Sequence, residues 1–183
     1  RRFTCTLCQF SGRFVAIRDR REARCPNCGS REHDRTIALF WTREDWDFDH
    51  RSILHFAPGK SSWPNQKDLP GYVSSDIKTH KRAAQIVDIQ DIGFPDQFFD
   101  DVICNHVLEH VPEDMAAMSE CFRVMKPGGR GIFSVPIDTE RAETWHPPTG
   151  TPTDEIERIC GPMHLRLYGL DFPDLLRSVG FEV

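Results

Sequence analysis

Short apolar runs alternate with helix-like segments through most of this chain. Ser52 to Ala57 reads as a buried strand that ends in the turn Pro58-Gly59. Tyr72 to Ile77 and Ala83 to Ile89 read as two more strands, each with an acid, Asp76 and Asp88, near its end. Phe99 to His106 predicts a fourth strand. It leads into a helix over 112–125, where Met115, Met118, Cys121, Phe122 and Met125 recur at helical spacing. Lys126-Pro127-Gly128-Gly129 stops that helix, Gly131 to Ile137 predicts another strand, and Asp171 to Gly180 a last helix. Phe181-Glu182-Val183 opens a strand that the chain does not finish, which reads as a truncated or partly disordered C-terminus. Upstream, Glu32 to Trp46 predicts a helix with Ser30 as its cap. Strands alternating with crossovers imply an α/β fold with a parallel sheet, whose ligand site lies beyond the carboxyl ends of the strands. Only Lys78 to Arg82 separates the second and third strands, too few residues for the usual crossover helix. One edge or face of the sheet there lacks its cover, and the N-terminal module, a partner or a second copy could fill it.

The N-terminal segment carries different chemistry. Cys5-Thr6-Leu7-Cys8 and Cys25-Pro26-Asn27-Cys28 are two Cys-x2-Cys knuckles with sixteen residues between them. That spacing lets four thiolates close a tetrahedron around one zinc ion, leaving no open position, so the metal is expected to be structural. A pair of disulfides in a small secreted module is the alternative. Seven cysteines is an odd total, and no apolar run has the length of a signal peptide or membrane span. Both features favour zinc in a reducing, cytoplasmic setting with no membrane partner. The domain boundaries that follow are a zinc ribbon over 1–31, a linking helix over 32–50 and an α/β domain over 51–183.

Charge divides the chain in the same place. Overall, 23 Lys and Arg against 28 Asp and Glu give a net charge of −5. In the first 35 residues, Arg1, Arg2, Arg13, Arg18, Arg20, Arg21, Arg24, Arg31 and Arg35 oppose only Asp19, Glu22, Glu32 and Asp34. A basic module on an acidic body suits RNA phosphates, or is a solvated face around an anionic tetrathiolate centre.

From Ser52 to Val183 the sequence resembles the class I S-adenosylmethionine-dependent methyltransferases of the "methyltransferase type 11" kind. The resemblance is carried by Phe94-Pro95-Asp96-Gln97-Phe98-Phe99-Asp100, Val107-Leu108-Glu109-His110-Val111, Phe122-Arg123-Val124-Met125-Lys126-Pro127-Gly128-Gly129 and Val179-Gly180-Phe181. It implies a doubly wound, Rossmann-like, mostly parallel sheet with S-adenosylmethionine as cofactor. Ala57, Pro58 and Gly59 would then wrap the methionine part. Asp76 and Ile77 would flank the ribose, Asp88 and Ile89 the adenine, and Asn105 and His106 would lie under the sulfonium. The chain departs from the family at His55-Phe56-Ala57-Pro58-Gly59-Lys60-Ser61, which keeps one glycine of the usual three and puts His55 where an acid is expected.

Methyl transfer asks for an aligned nucleophile and, where needed, a base. His106 and His164 are the catalytic candidates, whereas His110 reads as a ring satisfying backbone in the turn before the next helix. Arg166 and Tyr168 alternate with His164 and are expected on one substrate-facing side, with Trp145 as an aromatic wall in a long loop over 140–157. Asn105-His106 does not continue as Pro-Pro-Tyr, which argues against exocyclic-amine methylation of adenine. Cys104 lacks a preceding proline and reads as a buried strand cysteine. Three functions fit: a methyltransferase for a small molecule, metabolite or peptide; an RNA methyltransferase gripping phosphates through the ribbon; and a non-catalytic binding module on the same fold.

Overall fold

A computed structural model describes residues 1–18, 20–43, 50–59, 68–78 and 82–183. They fall into two compact units, Arg1–Arg51 with Pro58–Tyr72, and Ser52–Ala57 with Val73–Val183. The first unit contains two antiparallel ribbons, β1 (Phe3–Thr4) with β2 (Ser11–Gly12) and β3 (Val15–Ile17) with β4 (Arg20–Arg24). Helix α1 (Glu32–Arg43) follows. The expected stretch of this helix beyond Arg43, to Trp46, lies outside the described residues. So do Lys60 and Ser61 of the first turn and residues 79–81 of the short crossover. Ser30 is not the cap: its hydroxyl is buried among the cysteine sulfurs, and Asp34 Oδ2 accepts the Arg31 N–H at 2.8 Å instead. That bond is the reciprocal half of a capping box, supplied from the first helical turn. Arg35 is turned inward. Its guanidinium donates to Ser30 O at 2.7 Å and Ala23 O at 3.0 Å and stacks 4.7 Å from the Phe14 ring centre.

The second unit is built on a five-stranded sheet in the order β7-β6-β5-β8-β9. Its strands are β5 (Ile53–Phe56), β6 (Tyr72–Asp76), β7 (Gln85–Ile86), β8 (Phe99–Asn105) and β9 (Met125–Ser134). The pairs β5–β8, β6–β7 and β8–β9 are parallel. All four residues of β5 are buried, and β8 is buried at Phe99, Val102, Ile103 and Cys104, the continuous pattern of central parallel strands covered on both faces. Eight residues, 77–84, join the parallel β6 and β7, so the short crossover read from the sequence is real. Strand β7 is an exposed edge of two residues, with Ile86 65% accessible.

Helix α2 (Asp114–Val124) joins β8 to β9 and buries Ala117, Met118, Cys121 and Val124. The expected stripe through Met115 and Phe122 is therefore rotated. Those two side chains are 38% and 42% exposed, because the i, i+3, i+4, i+7 face that meets the sheet runs through Ala117 and Cys121. The Lys126–Gly129 breaker lies inside β9 as a register shift between the Phe99–Met125 and Asp101–Arg130 pairs. The segment 140–157, expected as loop, contains the start of α3 (Thr153–Cys160). The last helix is α4 (Phe172–Ser178). Gly180, at φ 117°, turns the chain so that Phe181 packs edge-on against Phe122 and Phe133. A Cβ at Gly180 would come within 2.6 Å of the Phe122 ring. Phe181–Val183 forms no strand, contrary to expectation. Among the described residues, no helix is long and apolar enough to cross a membrane.

Candidate functional site

The two cysteine turns of the first unit share one construction. Cys5 N–H donates to Phe10 O and Gln9 N–H to Cys5 O; likewise Cys25 N–H donates to Ser30 O and Gly29 N–H to Cys25 O. Gln9 and Gly29, each four residues after the first cysteine of their turn, take φ of 58° and 78°. The repeated geometry turns all four sulfurs toward one point. Their Sγ atoms lie within 4.8 Å of one another, with Cys5–Cys28 at 3.7 Å and Cys8–Cys25 at 3.6 Å. None of the four is disulfide-bonded, since these separations are far from the roughly 2.05 Å of an S–S bond. Four sulfurs about 2.3 Å from a tetrahedral zinc would stand about 3.8 Å apart, so donor set and spacing fit that ion. Burial opposes ionisation at Cys8, but hydrogen bonds from Asn27 and the Phe10 backbone bring its pKa down to about 6. Burial dominates at Cys28, which is pushed up to about 11.

In the second unit, a cavity of about 210 Å³ opens at the carboxyl ends of four strands. Phe56 and Ala57 reach it from β5, Asp76 and Ile77 from β6, Asp88 to Gln90 from the loop after β7, and His106 from β8; His110 to Pro112 complete the wall. The chain leaves β5 toward β6 on one side and returns through β8 on the other, so β5 and β8 frame the switch point where α/β sheets bind ligands. Each framing strand is followed at once by a left-handed residue, Ala57 at φ 45° after β5 and His106 at φ 54° after β8. Such conformations are uncommon outside glycine and concentrate at functional sites. Six residues expected at the cofactor, Ala57, Asp76, Ile77, Asp88, Ile89 and His106, thus line one cavity. Pro58, Gly59 and Asn105 are not among its lining residues. Ser134 Oγ donates to Asn105 Oδ1 at 3.1 Å. Asp88 is held in place by Gln90, whose backbone N–H and side-chain amide donate to Oδ1 at 2.9 and 3.1 Å. His55, standing where an acid was expected, is 2% exposed.

His106 Nδ1 lies 3.0 Å from Glu109 Oε1. No role for Glu109 was read from the sequence, although its position three residues after His106 was the available signal. The other catalytic and substrate candidates are placed differently. His164 lies outside the cavity lining, its Nδ1 donating to Cys160 O at 2.7 Å and its ring edge-on to His110. Arg166 is 4% exposed. Its guanidinium donates to Leu108 O, Val111 O and Pro112 O at 2.6–2.7 Å and ion-pairs with Asp114 at 3.3 Å. Tyr168 is fully buried and donates its hydroxyl to Asp114 Oδ2 at 2.7 Å. The expectation that these two side chains face substrate is corrected: their donors are taken up in fixing the 108–112 loop and the start of α2. Trp145 exchanges two backbone hydrogen bonds with Leu167 and does not line the cavity. Cys104 and Cys121 are fully buried, and desolvation pushes both thiols far up, which suits packing rather than nucleophilic attack.

The five-stranded sheet of the second unit with its flanking helices fits the class I methyltransferase fold, and the cavity lies at its strand ends. Residues 69–133 match the family described as "Methyltransferase domain". A "probable S-adenosylmethionine-dependent methyltransferase" of Mycolicibacterium smegmatis is 33% identical over 96 residues, covering 52% of this chain and 33% of that protein. A ubiquinone biosynthesis O-methyltransferase of Pseudomonas fluorescens is 50% identical over 40 residues, 22% of this chain and 17% of the relative. The chain thus spans a third or less of the length of these relatives. Among solved structures, a methyltransferase of Archaeoglobus fulgidus superposes with a TM-score of 0.53 at 18% identity, covering 80% of this chain and 68% of its own. The [4+2]-cyclase SpnF superposes at 0.60 with 22% identity, covering 81% and 58%. That a cyclase shares the fold shows why activity must be argued from the site.

Proposed function

We propose that this protein is an S-adenosylmethionine-dependent methyltransferase that acts on a hydroxyl group of a small molecule or peptide, with zinc held structurally by Cys5, Cys8, Cys25 and Cys28. The observation that carries the reading is the convergence of Ala57, Asp76, Asp88 and His106 from four strand ends on one cavity. When bound, the cofactor supplies a methyl carbon made electrophilic by its sulfonium. Asp76 accepts hydrogen bonds from the two ribose hydroxyls, as only an acceptor-only side chain can do for both. Asp88, fixed by Gln90, accepts from the adenine amino group, while Phe56, Val87 and Val111 supply apolar walls that exclude water. His106 is the base. With Nδ1–H donating to Glu109, its Nε2 is the unprotonated nitrogen and takes the hydroxyl proton. The new carbon–oxygen bond forms as the carbon–sulfur bond breaks, giving a methyl ether and S-adenosylhomocysteine.

Calorimetric titration with S-adenosylmethionine and S-adenosylhomocysteine tests the cofactor half, and binding of neither would end the methyltransferase reading. Elemental analysis of protein purified without chelator tests the zinc: the wild type should carry zinc at the four-cysteine site and Cys8→Ser should lose it.

A further inference from the structure

Glu109, His110 and His164 come from two segments more than fifty residues apart, yet each offers a ligand atom within 4.8 Å of the others. Leu165 N–H donates to Glu109 O at 2.8 Å, and His110 Nδ1 lies 2.9 Å from Met163 O. These two bonds bracket His164 and press it against His110, ring centres 4.9 Å apart. Gly161, at φ 109°, leaves room for the ring, since a Cβ there would stand 3.1 Å from His164 Nδ1. A carbonyl oxygen only accepts, so both histidines carry their proton on Nδ1, His110 toward Met163 O and His164 toward Cys160 O. Both Nε2 atoms therefore present lone pairs. This outer hydrogen bond to a carbonyl is the arrangement that orients metal-ligating imidazoles.

The carboxylate points the same way. Glu109 is 1% exposed, and while Oε1 meets His106, Oε2 has no hydrogen-bond partner among the described residues. A buried charged oxygen left so is costly unless a cation neutralises it. The Arg166 clamp on the carbonyls of Leu108, Val111 and Pro112 holds the loop that presents both Glu109 and His110.

We propose that Glu109 Oε2, His110 Nε2 and His164 Nε2 form a second metal centre, for a divalent transition ion, separate from the four-cysteine cluster. Two imidazoles and a carboxylate suit such ions and leave coordination positions open. Small side-chain rotations bring the donors to the roughly 2.1 Å distances such an ion requires. His110 also lines the strand-end cavity, so the cluster adjoins it. Resting on the methyltransferase reading, the role of the ion is to hold the acceptor through its hydroxyl oxygen and lower the pKa of that hydroxyl before His106 takes the proton. The substrate class is then a hydroxyl compound able to ligate a metal.

The test uses Co2+ added to metal-free full chain, with stoichiometry and absorption spectra recorded. Two Co2+ per chain are expected, one with a thiolate-to-cobalt charge-transfer band and one without. His110→Ala, His164→Ala and the isosteric Glu109→Gln should each weaken the second Co2+ more than about 100-fold and leave that band intact, which also shows the variants folded. Cys8→Ser should do the reverse. One Co2+ per chain in the wild type, or a second Co2+ indifferent to all three substitutions, overturns the proposal. S-adenosylhomocysteine titrations on the same samples keep the two readings apart. Binding of that ligand without a second Co2+ sinks this site alone, whereas a second Co2+ without ligand binding supports the site and sinks the methyltransferase.

Discussion

Ala57, the residue after β5, is in a left-handed conformation, where the family resemblance leads one to expect glycine. An L-residue there costs about 1–2 kcal/mol, whereas the added backbone entropy of glycine costs about 0.5–1, so the strain outweighs the entropy. Ala57→Gly should therefore stabilise the fold by about 0.5–1 kcal/mol, read as a higher urea midpoint with unchanged slope; a lower midpoint would mean the strain is not there. Arg166 shows the opposite case. Its removal strands three carbonyls and the buried Asp114, so Arg166→Ala should cost about 3 kcal/mol in the same experiment, and Arg166→Lys should recover less than half, because an ammonium with three donors lacks the planar fork that serves three carbonyls and Asp114 together. Alternation along the segment placed His164, Arg166 and Tyr168 together but gave them the wrong surroundings. Periodicity reports which residues share a face, and only the fold decides whether that face meets solvent, substrate or the 108–112 loop. Likewise, Glu109, His110 and His164 became a cluster only once the chain brought segments distant in sequence side by side.

Elements were legible in proportion to how strongly burial patterned them. Strands β5 and β8 are covered on both faces and read as continuous apolar runs, whereas α3, in Thr-Asp-Glu-Ile-Glu-Arg-Ile-Cys after a proline-rich stretch, buries only Cys160 and left little apolar signal. The start of strand β9 was missed because the Pro and Gly read as stopping α2 are absorbed as an irregularity in the sheet. The register of β5 on β8 is pinned at its entry by Asp100. The Ser52 backbone N–H at 2.9 Å, then the Ser52 hydroxyl, then Lys126 hold its carboxyl well below the usual carboxylate range. Because the folded pKa is depressed below the unfolded value of about 3.9, the stabilisation is complete above that value and is lost as pH falls below it toward the folded pKa. The stability gap between wild type and Asp100→Asn should stay constant from about pH 7 to 5 and shrink below about pH 4; a gap that widens on acidification would contradict the assignment.

At the scale of the molecule, two units with different sources of order share one chain. The first has a small apolar cluster around Cys5, Phe14 and Cys25, so its folding should depend on the proposed zinc; the second has a large core along the sheet. Chelation should speed amide exchange across 3–30 while β5 and β8 stay protected, and uniform loss of protection would mean the units do not fold separately. The knuckle spacing made the first unit legible, since four cysteines so placed admit few arrangements. For the second, the succession of strands foretold the sheet, and Asp76 and Asp88, singled out by their places at strand ends, both line the cavity there. The central claim is that this edge binds S-adenosylmethionine through Asp76, and the most direct measurement is the S-adenosylhomocysteine dissociation constant of wild type and Asp76→Ala. Loss of the acceptor for the ribose hydroxyls should weaken binding by about 1.5–3 kcal/mol, roughly 10- to 150-fold. An unchanged constant in a folded Asp76→Ala variant, or no binding by the wild type, would contradict it.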